Sequence, residues 1–231
     1  MKHAVLLAGG RGTRLESVSG GLPKPLMQVG GRPFIEHVLD NLVRAGCDQI
    51  VIAASYKWEL LRDHLGSSYK GCALGWSIET KPLGTGGAIR QAFKLFDLAA
   101  AFVQNADTLF RVDLEALEKR HLASKATVTL GLREVPDVFR FGEVVIDGGG
   151  RIVLFSEKGR HGRGLINGGV YLIDGRAWRD SQLLEAFSFE RDYLQQRVDT
   201  EALYGYQADG YFIDIGVPDD LERARRELSG P

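Results

Sequence analysis

The sequence predicts an α/β fold: a mostly parallel mixed sheet flanked by helices on both faces, with a small β-rich portion in its second half. Three observations carry that prediction. Short apolar runs alternate with amphipathic runs through the first half. A glycine-rich segment follows the first apolar run immediately. Past residue 110 the alternation gives way to closely spaced β-like runs joined by short links.

The elements follow in order. His3–Ala8 reads as a buried strand, and Phe34–Ala45 as a helix, with apolar residues at Phe34, Ile35, Val38, Leu39 and Leu42. Gln49–Ala54 is a second strand and Trp58–Leu65 a short helix. Ala73–Ile78 is a third strand, Ala88–Phe96 a helix and Ala101–Gln104 a fourth strand. Strand–helix alternation at this interval implies right-handed crossovers and parallel pairing, a Rossmann-like arrangement. In the second half, Lys125–Leu130, Phe141–Asp147, Arg151–Ser156 and Gly169–Ile173 are β-like, and Asp147-Gly148-Gly149-Gly150 reads as a hairpin turn. Helical patterns span Trp178–Phe187 and Phe189–Val198. Leu203–Tyr206 and Tyr211–Ile213 are short strands, and Leu221–Leu228 is a charged helix. A single domain over residues 1–231 is expected, dividing softly near residue 110 into a nucleotide-type half (1–110) and a mixed-sheet half (111–231).

Composition narrows the function classes. The 231 residues include 29 glycines, where average usage supplies about 16. No collagen period exists, and 44% hydrophobic content with seven prolines excludes a Gly/Pro-rich disordered chain. The surplus glycine therefore belongs to loops of a globular fold. A net charge of -1 without a basic stripe argues against nucleic acid as partner. No run of apolar residues is long enough to span a membrane, and Ala4–Ala8 is too short for a signal-peptide core. Cys47 and Cys72 cannot build a disulfide framework; both read as packed, reduced thiols. The expectation is a cytoplasmic chain with a small-molecule partner. A homo-oligomer is compatible with the sequence.

Immediately after the first strand comes Gly9-Gly10-Arg11-Gly12-Thr13-Arg14-Leu15. Glycines let backbone approach a phosphate closely and present several N–H groups to one anion. The dinucleotide fingerprint needs a third glycine where Leu15 stands and an acidic residue closing the second strand, which ends instead in Ala53-Ala54-Ser55. The Walker A Gly-Lys-Ser/Thr is absent. Ten residues after Arg14, Pro23-Lys24-Pro25 sets one lysine between two prolines, which stiffens its backbone on both sides. That placement suits a phosphate contact better than a solvated loop lysine.

These two segments resemble the signature of sugar-1-phosphate nucleotidylyltransferases. The resemblance continues through Pro82-Leu83-Gly84-Thr85-Gly86-Gly87, Asn105-Ala106-Asp107, Glu157-Lys158, Asn167-Gly168-Gly169 and Asp214-Ile215-Gly216, in the family's order. The segments 165–171, 187–190 and 210–216 are most similar to D-glycero-α-D-manno-heptose-1-phosphate guanylyltransferases. The resemblance implies a fold of the nucleotide-diphospho-sugar transferase type, whose second half binds sugar phosphate. It also implies a reaction in which a sugar 1-phosphate oxygen attacks the α-phosphorus of a nucleoside triphosphate, releasing pyrophosphate.

Site roles follow residue by residue. The backbone of Gly9, Gly10, Arg11, Gly12 and Thr13 would cradle the triphosphate, with Arg14 on its outer phosphates. Lys24 would bridge the α-phosphate and the incoming phosphate, and Lys158 would hold the sugar phosphate. Asp107 and Asp214 would bind Mg²⁺. Leu7, Ala8, Gly9, Glu79 and Gly84 would meet the base, with Asn105 beside the nucleotide. Glu157, Asn167, Gly168 and Gly169 would form the sugar site, the two glycines leaving room for the ring. Glu79 could accept the N1–H and exocyclic N2–H₂ of guanine together, which favours GTP; uracil would use the same carboxylate with one bond fewer.

Such a reaction brings two polyanions together, and each unit-charge pair at about 4 Å repels by roughly 4 kcal/mol at an effective dielectric of 20. Catalysis should therefore be positioning plus local charge neutralisation. Ala106 stands where the family usually has glycine; a positive φ there would disturb Asp107. The five histidines fit no triad or metal pattern and are expected to be structural, as are the Trp and Tyr positions. The leading expectation is a Mg²⁺-dependent guanylyltransferase joining GTP to a sugar 1-phosphate. The alternatives are a uridylyltransferase acting on a hexose or amino-sugar 1-phosphate and, more remotely, a non-catalytic sugar-nucleotide-binding regulatory subunit.

Overall fold

The computed structural model describes residues 2–10, 12–15, 19–156, 160–178 and 183–229. Its first strand, β1 (His3–Ala8), is the centre of the sheet, because every second residue of an apolar run can be buried on each face. Ala4, Leu6 and Ala8 enter one core, and Val5 enters the other.

A small hairpin of β2 (Gln28–Val29) and β3 (Arg32–Pro33) leads into α1 (Phe34–Arg44), followed by β4 (Gln49–Ala54), α2 (Trp58–Leu65), β5 (Ser68–Tyr69) and β6 (Cys72–Ile78). Next come α3 (Gly84–Leu95), β7 (Ala100–Asn105) and β8 (Thr108–Phe110). β1 pairs in parallel with β4 on one side and β7 on the other, and β4 pairs in parallel with β6. Helix α1 buries Phe34, Ile35, Val38, Leu39 and Leu42 on one face of the sheet, while α3 buries Ala88, Ile89, Ala92 and Phe93 on the other. This is the two-faced parallel sheet that the alternation predicts.

The second half adds α4 (Leu114–Ser124), β9 (Val128–Val135), β10 (Glu143–Ile146), β11 (Ile152–Ser156), β12 (Gly164–Asp174), β13 (Leu203–Gln207), β14 (Phe212–Asp214) and α5 (Pro218–Glu227). The sheet runs β11-β10-β12-β7-β1-β4-β6-β5, with β9 on β12 and β13 on β9. β12 lies antiparallel to β7, so one sheet is continuous through both halves. The Asp147–Gly150 turn is a hairpin: Asp147 Oδ1 accepts the N–H groups of Gly149 (2.8 Å) and Arg151 (2.9 Å) between β10 and β11. Cys47 and Cys72 are both buried and unbridged, and burial pushes the Cys47 thiol up to about 12.

Three expectations change. Helix α3 begins at Gly84 rather than Ala88. No helix spans 183–187; Arg90 takes the carbonyls of Leu183, Leu184 and Glu185, and Phe187 bonds through its backbone to Leu83 and Gly86. Carbonyls and amides committed across the fold cannot also build a helical ladder. Residues 189–194 form one π-helical turn capped by Ser188, rather than a regular helix to Val198. The sequence reading also omitted the short strands β2, β3, β5 and β8 and helix α4, which buries little beyond Leu114, Leu117 and His121, so its apolar stripe is too thin to read from spacing.

Candidate active site

Parallel strands of an α/β sheet present ligands at their carboxyl ends, and the principal cavity lies there. It measures about 620 Å³. Leu7 and Gly9 follow from β1, Ser55 and Tyr56 from β4, Glu79 from β6, and Asn105 and Asp107 from β7. Lys81, Pro82, Gly84 and Thr85 close the wall at the start of α3.

Glu79 is half-buried, and its Oε2 accepts the Leu83 N–H at 2.9 Å. Burial raises its carboxyl above the ordinary carboxylate range, partly offset by that bond. A Cβ at position 9 would lie 2.7 Å from Glu79 Oε1. A side chain at position 9 would push the Glu79 carboxylate aside, and glycine leaves it at the strand end beside the cavity.

The acidic residues meet through strand pairing. β14 pairs antiparallel with β8 so that Asp214 lies opposite Thr108. Ile215 N–H bonds to the Asp107 carbonyl at 3.0 Å. The two carboxylates then flank one hydroxyl: Thr108 Oγ is 3.3 Å from Asp107 Oδ1 and 3.3 Å from Asp214 Oδ2. Asp214 Oδ1 also accepts the Gly216 N–H at 2.6 Å. Lys24 Nζ lies 2.6 Å from Asp107 Oδ2, with 13% of its side chain exposed. Burial, and then the charge of Asp107, raise the Asp214 carboxyl above its ordinary value, while Lys24 opposes both. The backbone at Gly12 has φ +65°, and a Cβ there would stand 3.2 Å from Lys24 Cβ. The phosphate-loop glycine thus lets Lys24 pack against it.

Two like charges held together, one of them buried, make a place where an added cation lowers the energy. The donors are hard carboxylate oxygens, the type that Mg²⁺ takes. Among the described residues no group of three or more metal-ligating side chains occurs, so ligand oxygens and water would have to complete such a site. Ala106 is not among the residues with positive φ. Alanine sits there without strain, and Asp107 keeps its place.

The structure brings Leu7, Gly9, Gly10, Glu79, Gly84, Asn105 and Asp107 to one cavity. Lys24 and Asp214 join at the Asp107 corner. Ala8 turns its side chain into the core, which leaves only its backbone for a ligand. Arg14 is exposed in the short turn Thr13–Leu15, anchored by buried Leu15. Arg11, Glu157 and Lys158 lie outside the described residues. Asn167, Gly168 and Gly169 all fall within β12. Space at Gly168 is taken by the Phe110 ring, 2.4 Å from where a Cβ would be. The glycine there is thus required for packing, whereas the sequence suggested open space.

Sequence reasoning missed Ser55, Tyr56 and Thr80 on the cavity wall. Tyr56 is accordingly not the filler expected of the tyrosines. Their signal is position, since each directly follows a parallel strand or its last bond. Four of the five histidines have partners within the fold: His37 bonds Val29 O, His121 bonds Thr129, His64 pairs with Glu36 and His161 with Asp137, while the Nδ1 of His3 is buried without one.

Known proteins resemble this chain in sequence and in fold. The nucleotidyl transferase family model matches residues 3–229. The chain is 41% identical over 226 residues to a D-glycero-alpha-D-manno-heptose 1-phosphate guanylyltransferase of Aneurinibacillus thermoaerophilus, covering 98% of each chain. It is 38% identical to a protein of the same name from Campylobacter jejuni, covering 94% of this chain and 96% of that one. A crystal structure of HddC from Yersinia pseudotuberculosis complexed with GMP-PN superposes with a TM-score of 0.87 at 35% identity, over 99% of this chain and all of that one. No helix among the described residues is long and apolar enough to cross a membrane. With its match across nearly the full length and the shared fold, the chain belongs to the nucleotidyl transferase family.

Proposed function

We propose that the protein is a sugar-1-phosphate guanylyltransferase that joins GTP to D-glycero-α-D-manno-heptose 1-phosphate, giving GDP-heptose and pyrophosphate. The observation that carries this reading is the corner where Lys24 meets Asp107 and Asp214 at the edge of a cavity floored by Glu79. Relatives named for that activity support the choice of base and sugar over the uridylyltransferase alternative. Lys24 and both carboxylates are retained and packed together, which argues against a non-catalytic binding subunit.

In this reading a phosphate oxygen of the sugar 1-phosphate attacks the α-phosphorus of GTP, and the bond to the β-phosphate breaks. The chain's task is to hold two anions in line and offset their repulsion. Backbone N–H groups of the 9–13 segment and Arg14 receive the outer phosphates. Lys24 stands where charge accumulates between the two substrates. Asp107 and Asp214 would hold Mg²⁺, which when bound draws charge from the phosphate oxygens. Glu79 accepts the guanine N1–H and N2–H₂ edge. Asn167 and Glu157 take the sugar hydroxyls, and Lys158 takes the sugar phosphate. A triphosphate and a sugar phosphate as substrates fit a cytoplasmic reaction.

Thermal melting with each of the four nucleoside triphosphates tests the base. GTP should raise the melting temperature most; a larger shift with UTP would transfer the protein to the uridylyl class.

A further inference from the structure

One carboxylate in the fold has no part in the chemistry above and yet collects three hydroxyls. Glu190 Oε2 accepts from Thr85 Oγ at 2.7 Å and Ser188 Oγ at 3.2 Å, and its Oε1 accepts from Tyr171 Oη at 3.3 Å. The hydrogen directions follow from their neighbours. Phe189 N–H donates to Thr85 Oγ at 2.8 Å, so the Thr85 hydrogen goes to Glu190. Gly169 N–H donates to Asn167 Oδ1 at 3.0 Å, which turns Asn167 Nδ2 toward Tyr171 Oη as a donor at 2.6 Å. The Tyr171 hydrogen therefore also goes to Glu190. Two lines of donors, each starting from a backbone N–H, converge on one group that is acceptor-only.

The ends of these lines lie on different walls. Thr85 belongs to the first turn of α3 and lines the cavity beside Gly84. Asn167 belongs to β12, in the second half of the chain. Tyr171 between them is fully buried, and the Glu190 segment is fastened to the same loop by Phe187, through Leu83 O at 2.9 Å and Gly86 N at 3.0 Å. Asn167 uses its oxygen once and its nitrogen once within the relay. One N–H and one lone pair remain, and the amide cannot turn over without breaking both bonds.

We propose that Glu190 is a positioning residue that fixes the base-side wall at Thr85 and the amide of Asn167 as one unit, so that a single carboxylate sets a contact for each substrate. The proposal rests on the reading that Asn167 faces the sugar. A glutamine at 190 must aim its NH₂ at a hydroxyl whose hydrogen already points inward, so one line has to reverse.

The test is steady-state kinetics with GTP and the sugar 1-phosphate varied separately, on Tyr171→Phe, Thr85→Val, Thr85→Ser, Glu190→Gln and Asn167→Ala, with thermal melting alongside. Tyr171→Phe should raise the sugar-phosphate KM about tenfold and move the GTP KM about twofold at most. Thr85→Val should do the reverse, and Thr85→Ser, which keeps the hydroxyl, should rescue it. Glu190→Gln should raise both. If Tyr171→Phe and Thr85→Val lower the melting temperature but leave both KM values in place, or move them together, the relay is only structural and the proposal fails. An unchanged sugar KM in Asn167→Ala removes the sugar-side reading, and the proposal with it. A raised sugar KM in Asn167→Ala with none in Tyr171→Phe overturns the relay alone.

Discussion

At the carboxylate corner two negative charges face one lysine, and the Thr108 hydroxyl has a single hydrogen for two carboxylates, each 3.3 Å away. At Glu190 three hydroxyls meet one carboxylate, and each hydrogen has one destination. The corner is short of positive charge; at Glu190 every hydroxyl hydrogen is placed. A group of the first kind is completed by what binds to it, and a group of the second kind holds its neighbours still. Substitutions in the two regions should therefore fail differently: the corner in rate, the relay in substrate affinity.

The largest effects belong to the corner. Asp107→Asn or Asp214→Asn should cut kcat about a thousandfold or more, while GTP still raises the melting temperature. Pyrophosphate release reads the first and thermal melting the second, and turnover within a few-fold of wild type would remove these carboxylates from the mechanism. Lys24→Met should cost about a hundredfold or more in kcat. A larger change in KM than in kcat would assign Lys24 to binding alone.

Glu79 lies between the two regimes, because it is both a desolvated carboxylate and a proposed ligand. Its carboxyl is raised by burial, so the folded protein holds that proton to higher pH than the unfolded chain. Its contribution to stability is therefore greatest in acid and declines as pH rises through the raised value. Binding runs the other way, since guanine needs the ionised form. The GTP KM should climb as pH falls through that same value, and Glu79→Gln should flatten this dependence. Glu79→Gln should also raise the GTP KM about tenfold with no loss of melting temperature. A profile unchanged by the substitution would separate Glu79 from the base.

The smallest effect tests packing alone. A Cβ at Gly86 would stand 2.1 Å from the Phe187 ring, so Gly86→Ala should cost about 1–3 kcal/mol of stability, read by denaturant unfolding. No measurable loss would show that the 183–189 segment can move away from α3, and would weaken the relay that depends on it.

The parallel half was legible because its strands are apolar runs and its helices α1 and α3 carry wide apolar stripes. The phosphate loop was legible because three glycines before Thr13 and Arg14 exceed what a turn needs. Asp107 and Asp214 were legible only through the family resemblance, since Thr108 and Asp214 are 106 residues apart and meet through β8–β14 pairing. Nothing local marks that pairing. The Thr85–Glu190 bond spans 105 residues, and the four residues 187–190 stood out in sequence without showing what they touch. Segment 183–187 read as helix because spacing sees side chains. It cannot see that Arg90, far away in the chain, takes the carbonyls a helix would use.

Pyrophosphate release from purified protein with Mg²⁺, across four triphosphates and a set of sugar 1-phosphates, tests the whole account most directly. GTP with D-glycero-α-D-manno-heptose 1-phosphate should give the highest kcat/KM. A preference for UTP with a hexose 1-phosphate, or no release with any pair, would contradict it.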